Sequence, residues 1–239
     1  MSFRFKQFFI EDAKCAMKVG TDGVLLGAWC PIAAISRRHS AFGILDIGTG
    51  SGLIARMLMQ RCPEAEVEGI DIDAAAVEQA RENGVNAFCS SLQEWQIVNG
   101  KCPNGKLYDL VVSNPPYFQN SLKNPDKGRQ TARHTDTLSF EELIHHSARL
   151  LKEDGSLALI LPAETENEIR EIAAHYGLRC THVTRVFSKE NKPARRVLIA
   201  FSQVRPASAI TPIEDTLVLE DEKGGRSAAY SELCKDFYL

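Results

Sequence analysis

Two stretches constrain how this chain can fold: Ile44-Leu45-Asp46-Ile47-Gly48-Thr49-Gly50-Ser51-Gly52 and Asp109-Leu110-Val111-Val112-Ser113-Asn114-Pro115-Pro116-Tyr117. Each joins an apolar, strand-like run to a turn that exposes backbone and polar groups. Parallel strands present a nucleotide-like ligand at their carboxyl ends in this way. The two stretches are therefore expected to lie in one sheet and to meet at one end of it.

The intervening and following sequence keeps a strand and helix rhythm. Strands are predicted at 43–47, 66–71, 85–89, 108–112 and 156–161. Helices are predicted at 53–59, 74–83, 138–151 and 164–175, with Gly84, Asp154-Gly155 and Gly177 as stops. That alternation implies an α/β fold with a doubly wound, mostly parallel sheet and right-handed crossovers. Two last strands, 180–188 and 197–203, are separated by Lys189-Glu190-Asn191-Lys192-Pro193-Ala194-Arg195-Arg196, which is too short and polar for a crossover helix. An antiparallel C-terminal hairpin follows, giving seven strands in all. The expected organisation is one domain, with 1–40 as an N-terminal extension, 41–205 as the core and 206–239 as a C-terminal extension.

The glycine turn reads Gly-x-Gly-x-Gly. Glycine lets the chain turn sharply and approach a ligand, and the helix behind it offers free N–H groups. The spacing lacks the later glycine of a pyrophosphate site. Asp71, 25 positions after Asp46 and at the end of the next strand, is placed to accept both hydroxyls of a ribose. A cofactor with ribose but no pyrophosphate, such as S-adenosylmethionine, satisfies both features better than NAD does.

Asn114-Pro115-Pro116-Tyr117 specifies chemistry more sharply. An amino nitrogen conjugated to an adenine ring or a carbonyl is a poor nucleophile. An Asn side-chain oxygen and the next residue's carbonyl can accept its two hydrogens and favour a tetrahedral nitrogen aimed at a methyl sulfonium. The prolines stiffen the turn, and Tyr117 offers a stacking face. No strong general base is required, because the nitrogen can lose its proton after transfer.

Composition narrows the setting. The 239 residues are 44% hydrophobic and 25% charged, enough for a large core. No signal-like or membrane-spanning run occurs, so a cytoplasmic protein is expected. Seven cysteines, never closer than thirteen positions apart, fit reduced thiols better than a disulfide framework or a zinc site. No metal is expected. The net charge of −3 hides two basic regions. One runs from Arg179 to Arg205, with seven Lys or Arg against Glu190; the other contains Lys123, Lys127, Arg129, Arg133 and His134. Such patches suit nucleic-acid phosphates.

Before the first strand, Lys18-Val19-Gly20-Thr21-Asp22-Gly23 reads locally as a loop and a helix capped by Thr21 or Asp22. Together with Phe5 to Phe8, Ala16 to Trp29, the glycine turn, Asn114 to Phe118, Ala132-Arg133-His134 and the closing Phe237-Tyr238-Leu239, it resembles the bacterial tRNA (adenine-N6)-methyltransferases that modify valine tRNA beside the anticodon. The resemblance runs from end to end. It implies a class I, Rossmann-like methyltransferase using S-adenosylmethionine on a tRNA substrate, with no obligate protein partner evident. It places the N-terminal loop over the methionine end of the cofactor.

The expected catalytic residues are Asn114, Pro115 and Tyr117. Expected cofactor contacts are Lys18, Thr21, Asp46, Gly48, Gly50, Asp71, Ser91 and Asn114. On the substrate side are Phe118, Arg133, His134, Lys189, Lys192, Arg195 and Arg196. One departure concerns the residue after the third core strand: Ser90-Ser91 stands where the family usually has an acid for the cofactor's adenine amino group, and Ser91 is a weaker acceptor. The segment 83–87 is also shorter than usual. A protein glutamine methyltransferase shares the tetrapeptide but needs neither basic region. A DNA or ribosomal RNA adenine methyltransferase differs only in substrate, and a non-catalytic RNA-binding scaffold would not need Asn114, Tyr117 and Asp71.

Overall fold

The computed structural model describes residues 2–32, 42–95, 107–116, 138–203 and 211–239. Strands β1 (Ser2–Arg4) and β2 (Phe9–Glu11) form an antiparallel pair, followed by helix α1 (Thr21–Trp29). The core then runs β3 (Phe42–Ile47), α2 (Leu53–Arg61), β4 (Ala65–Asp71), α3 (Ala74–Glu82), β5 (Asn86–Cys89), α4 (Leu92–Trp95) and β6 (Tyr108–Ser113). It continues with α5 (Phe140–Leu150), β7 (Leu151–Pro162), a 3₁₀ turn (Ala163–Thr165), α6 (Glu166–His175), β8 (Leu178–Phe187) and β9 (Ala194–Gln203), and ends with β10 (Ile213–Val218) and α7 (Ala228–Leu233).

The large sheet has the order β10-β8-β9-β7-β6-β3-β4-β5. Only β9 runs against the others, antiparallel to both β7 and β8. The seven predicted strands are present, and β10 is an eighth, added parallel to the edge of β8. Its sequence Ile-Glu-Asp-Thr-Leu-Val shows little apolar signal, and only Leu217 is buried. Neighbours recruit it instead: Asp215 meets His182 at 2.7 Å and Glu214 meets Arg185 at 3.2 Å.

Side-chain alternation along the strands explains why their sequences read as unbroken apolar runs. Ile44, Leu110, Val112, Ala158, Ile160 and Leu198 enter one core with α1, α2 and both termini. Leu45, Ile47, Val111, Leu157, Leu159 and Ile199 enter the other, with α4, α5 and α6. The chain ends meet on the first face, where Lys6 N–H donates to the Phe237 carbonyl at 2.9 Å and Phe5 stacks near Tyr238.

Buried polar groups bind the strands laterally. Asp109 Oδ2 accepts from Gly43 N at 2.8 Å and from Lys152 Nζ at 2.7 Å. Tyr108 donates to Glu68 Oε2 at 2.8 Å while accepting from Trp95 Nε1 at 3.3 Å. Helix α5 begins with a capping box between Ser139 and Glu142. In α1 the predicted side-chain cap is absent: Gly20 occupies the N-cap, and Thr21 and Asp22 are the first helical residues. Extended Gly20 ends the loop without a side chain, leaving Asp22 available for Arg196. No described helix is long and apolar enough to cross a membrane.

The Tyr108 hydroxyl links three elements in a dry environment, so Tyr108→Phe leaves two buried polar partners each short of one bond. A loss of about 1–3 kcal/mol is expected, read as a lower urea midpoint with an unchanged slope.

Candidate active site

The carboxyl ends of β3, β4, β5 and β6 open onto one cavity of about 960 Å³, a volume suited to a nucleoside-sized ligand. Its floor is the turn after β3. Gly48 and Gly50 have φ of +68° and +54°, conformations that side chains other than glycine's resist, and a Cβ at either would meet nothing within 4 Å. The turn therefore presents bare backbone to open space.

β4 fixes that backbone. Gly48 N and Thr49 N donate to the Ile70 carbonyl at 2.8 and 3.0 Å, and Gly50 N donates to Asp71 Oδ2 at 2.9 Å. Asp71 Oδ1 accepts from Asp73 N at 3.0 Å. Asp71 thus lines the cavity and also braces the turn. Asp46 lies behind the turn, fully buried and away from the cavity wall, where Oδ2 accepts from Thr49 Oγ1 at 2.8 Å and Ala55 N at 3.2 Å. Asp46 thus braces the turn from behind.

The N-terminal loop closes another side. Lys18, Thr21 and Asp22 line the cavity. The Lys18 ammonium donates to the carbonyls of Asp12, Ala13 and Cys15, at 2.7, 3.3 and 2.8 Å, and Val19 N donates to Asp12. Lys18 therefore stiffens its own loop. Thr21, in the first turn of α1, faces the cavity beside the helix's free N–H groups.

At the far end, Ser91 lines the cavity, but its hydroxyl is already engaged. It donates to Glu94 Oε2 at 3.0 Å and accepts from Glu94 N at 3.1 Å, capping the short α4. After β6, half-buried Asn114, buried Pro115 and exposed Pro116 line the cavity, with Asn114 Nδ2 4.0 Å from Met17 Sδ. Tyr117, Phe118, Arg133 and His134 lie outside the described residues, as does the basic region from Lys123.

Tertiary pairing alters the other basic region. Arg196 reaches the cavity wall and pairs with Asp22 at 2.8 Å; Arg185 pairs with Glu166 and Glu214, and Lys189 with Glu220. Part of the local charge excess along the sequence is therefore cancelled in space. Lys192 and Arg195 remain exposed near the β8–β9 turn. Because β9 runs opposite its neighbours, that turn stands at the same end of the sheet as the cavity.

Sequence reasoning missed Gly69 and the neighbouring Gln93 and Glu142. A Cβ on Gly69 would fall 2.7 Å from Thr49 Oγ1, so glycine in the middle of β4 makes room for the threonine that joins Asp46. An isolated glycine in a strand pattern was the available signal. Gln93 and Glu142 enter the cavity from α4 and α5, which no local motif connects.

Burial pushes the Asp46 carboxyl up to about 7, against the opposing effect of its bonds from Thr49 and Ala55. The folded state thus holds this proton more tightly than the unfolded chain, where the value is 3.8. The Asp46 contribution is stabilising at low pH and is lost as pH rises from about 4 through about 7. Asp46→Asn should remove that part of the slope, measured by urea titrations at successive pH values.

The methyltransferase small domain family matches residues 32–178. A Bacteroides fragilis relative named tRNA1(Val) (adenine(37)-N6)-methyltransferase is 41% identical over 242 residues, covering 99% of this chain and 97% of that protein. Relatives of the same name from Phocaeicola vulgatus and Pedobacter heparinus are 43% and 42% identical; they cover 99% and 100% of this chain, and the chain covers 97% and 98% of them. Among solved structures, one described as a "predicted O-methyltransferase" from Agrobacterium tumefaciens superposes with a TM-score of 0.64 at 17% identity, covering 90% of this chain and 96% of its own. A TehB-like methyltransferase from Corynebacterium glutamicum gives 0.51 at 19%, covering 77% and 89%. These two establish the shared fold. The chain belongs to the methyltransferase small domain family and, along its full length, to the group of relatives named tRNA1(Val) (adenine(37)-N6)-methyltransferases.

Proposed function

We propose that this protein methylates the N6 amino group of an adenine in tRNA from S-adenosylmethionine, the target being the adenine 3′ of the anticodon in valine tRNA. The observation that carries the reading is the meeting of Asn114-Pro115 with Asp71 and the glycine turn around one cavity. Nearly full-length relatives that bear the corresponding name support the substrate, and a cytoplasmic setting follows from it.

The residues fit the cofactor. Gly48 and Gly50 leave an open cradle for a close-lying ligand, and Asp71 offers a carboxylate to the same cavity from the end of the next strand. Thr21 and the first turn of α1 suit a carboxylate, so the loop from Cys15 to Gly23 acts as a cover on the methionine side. When bound, S-adenosylmethionine supplies an electrophilic methyl group. Asn114 Oδ1 and the Pro115 carbonyl accept the two hydrogens of the target amino group and turn its lone pair toward transfer. Pro115 and Pro116 keep those acceptors fixed, and Tyr117 provides the stacking face. The exposed Lys192 and Arg195, with Lys189, hold phosphates of the incoming RNA, while Arg196 supports the cavity wall through Asp22.

Nucleoside mass spectrometry of RNA and DNA from a strain lacking the gene should show loss of N6-methyladenosine from valine tRNA alone; unchanged tRNA would reject the substrate. Asn114→Ala should slow single-turnover methylation about a hundredfold or more with cofactor affinity little altered, and a rate within a few-fold of the parent would contradict the role of Asn114. Asp71→Ala should weaken S-adenosylmethionine binding about tenfold or more, as loss of a charge-assisted contact implies. It should also lower the melting temperature, because the same carboxylate braces Gly50 and Asp73. For RNA binding, replacing Lys189, Lys192 and Arg195 together should flatten the salt dependence by about one unit per lost phosphate contact without changing the base that is methylated.

A further inference from the structure

The cavity raises a question at its far end. β5 lies outside β4, with Cys89 in register beside Asp71. Ser90, Ser91, Gln93 and Glu142 line the same cavity as Asp71, so these residues would hold the base of a nucleoside whose ribose sits on Asp71. An adenine amino group brings two N–H donors there and requires acceptors. Ser90 and Ser91 bring no acid there, and the nearby Glu94 carboxylate is taken by Ser91 N and Oγ at 3.2 and 3.0 Å. The two serine hydroxyls are engaged: Ser90 Oγ donates to the Ser91 carbonyl at 3.0 Å, and Ser91 Oγ is bound on both sides by Glu94.

Beside the segment after β5 stands a carboxylate from another element. Glu142 Oε2 is held by Ser139 N at 2.9 Å and Ser139 Oγ at 2.8 Å in the capping box of α5. Among the described residues Glu142 Oε1 meets Gln93 Nε2 in a long contact of 3.4 Å, and both side chains line the cavity. The capping bonds from Ser139 hold the Glu142 carboxyl below its ordinary range, so it is ionised at neutral pH. Capping also fixes the rotamer of the acceptor before any ligand arrives.

We propose that Glu142, oriented by its capping box and assisted by Gln93, receives the exocyclic amino group of the cofactor's adenine. This rests on the cofactor reading above. A residue from α5 then takes over a task that the segment after β5 does not perform in this chain, and it ties cofactor recognition to the start of the helix that follows the Asn114 turn.

The test compares S-adenosylhomocysteine with S-inosylhomocysteine, in which a carbonyl replaces the amino group, by calorimetry. A site built to receive an amino group rejects such an analogue, and the parent should prefer the adenosyl ligand about a hundredfold, the value of one charge-assisted hydrogen bond. Glu142→Gln keeps the capping box, since Gln serves at that position, and its amide can donate to the inosyl carbonyl. The preference should fall below about tenfold, reflecting the loss of a charge-assisted bond. Gln93→Leu should lower it less, and Ser91→Ala should weaken both ligands alike. A preference unchanged in Glu142→Gln, or abolished by Ser91→Ala alone, would overturn the proposal while leaving the cofactor reading intact. Failure of the parent to bind either ligand would overturn both.

Discussion

Much of the site depends on one contact, the hydrogen bond from Gly50 N to the Asp71 carboxylate. Without it Gly50, at a positive φ and with no side chain of its own, would lose the bond that ties its N–H to β4. β4 supplies the missing restraint twice, through the Ile70 carbonyl and through Asp71, and Asp46 supplies it from behind through Thr49. The same carboxylate that braces the turn faces the cavity, so the cavity floor and the acid beside it form one mechanical unit.

Two further restraints bring the remaining walls to that floor. Lys18 draws three carbonyls of the N-terminal loop around its ammonium, and Asp22 joins the start of α1 to Arg196 on β9. The reversed direction of β9 allows the second contact. It brings Arg196 to the end of the sheet where the other strands finish, beside the exposed Lys192 and Arg195. The basic turn and the chemical centre therefore share a side of the molecule because of topology, and much of the charge excess counted along the chain is neutralised by acids distant in sequence.

The core of the fold was legible in the sequence because parallel strands buried on both faces give continuous apolar runs, and Gly, Pro and Asp mark their ends. Seven strands, their order of connection and the antiparallel hairpin follow from those signals. β10 does not, since four of its six residues are exposed and it is held by His182 and Arg185 from a neighbouring strand. The cap of α1 was misread because Thr21 and Asp22 both favour capping, while extended Gly20 takes the position and leaves them inside the helix.

By itself the sequence determined the chemistry that the chain can perform: the Gly-x-Gly-x-Gly turn, the acid 25 positions beyond Asp46 and Asn114-Pro115 are local patterns whose function lies in their own backbone and side chains. Tertiary structure decided which of several plausible polar groups line the cavity and which of those are already engaged. Asp46 turns inward, the Ser91 hydroxyl is taken by Glu94, Lys18 serves its own loop, and Glu142 arrives from a helix about fifty residues away in sequence, where Gln93 meets it across 49 positions. A hydrogen-bonding group has few partners to give, and only the packed chain fixes whether a neighbour has already claimed them.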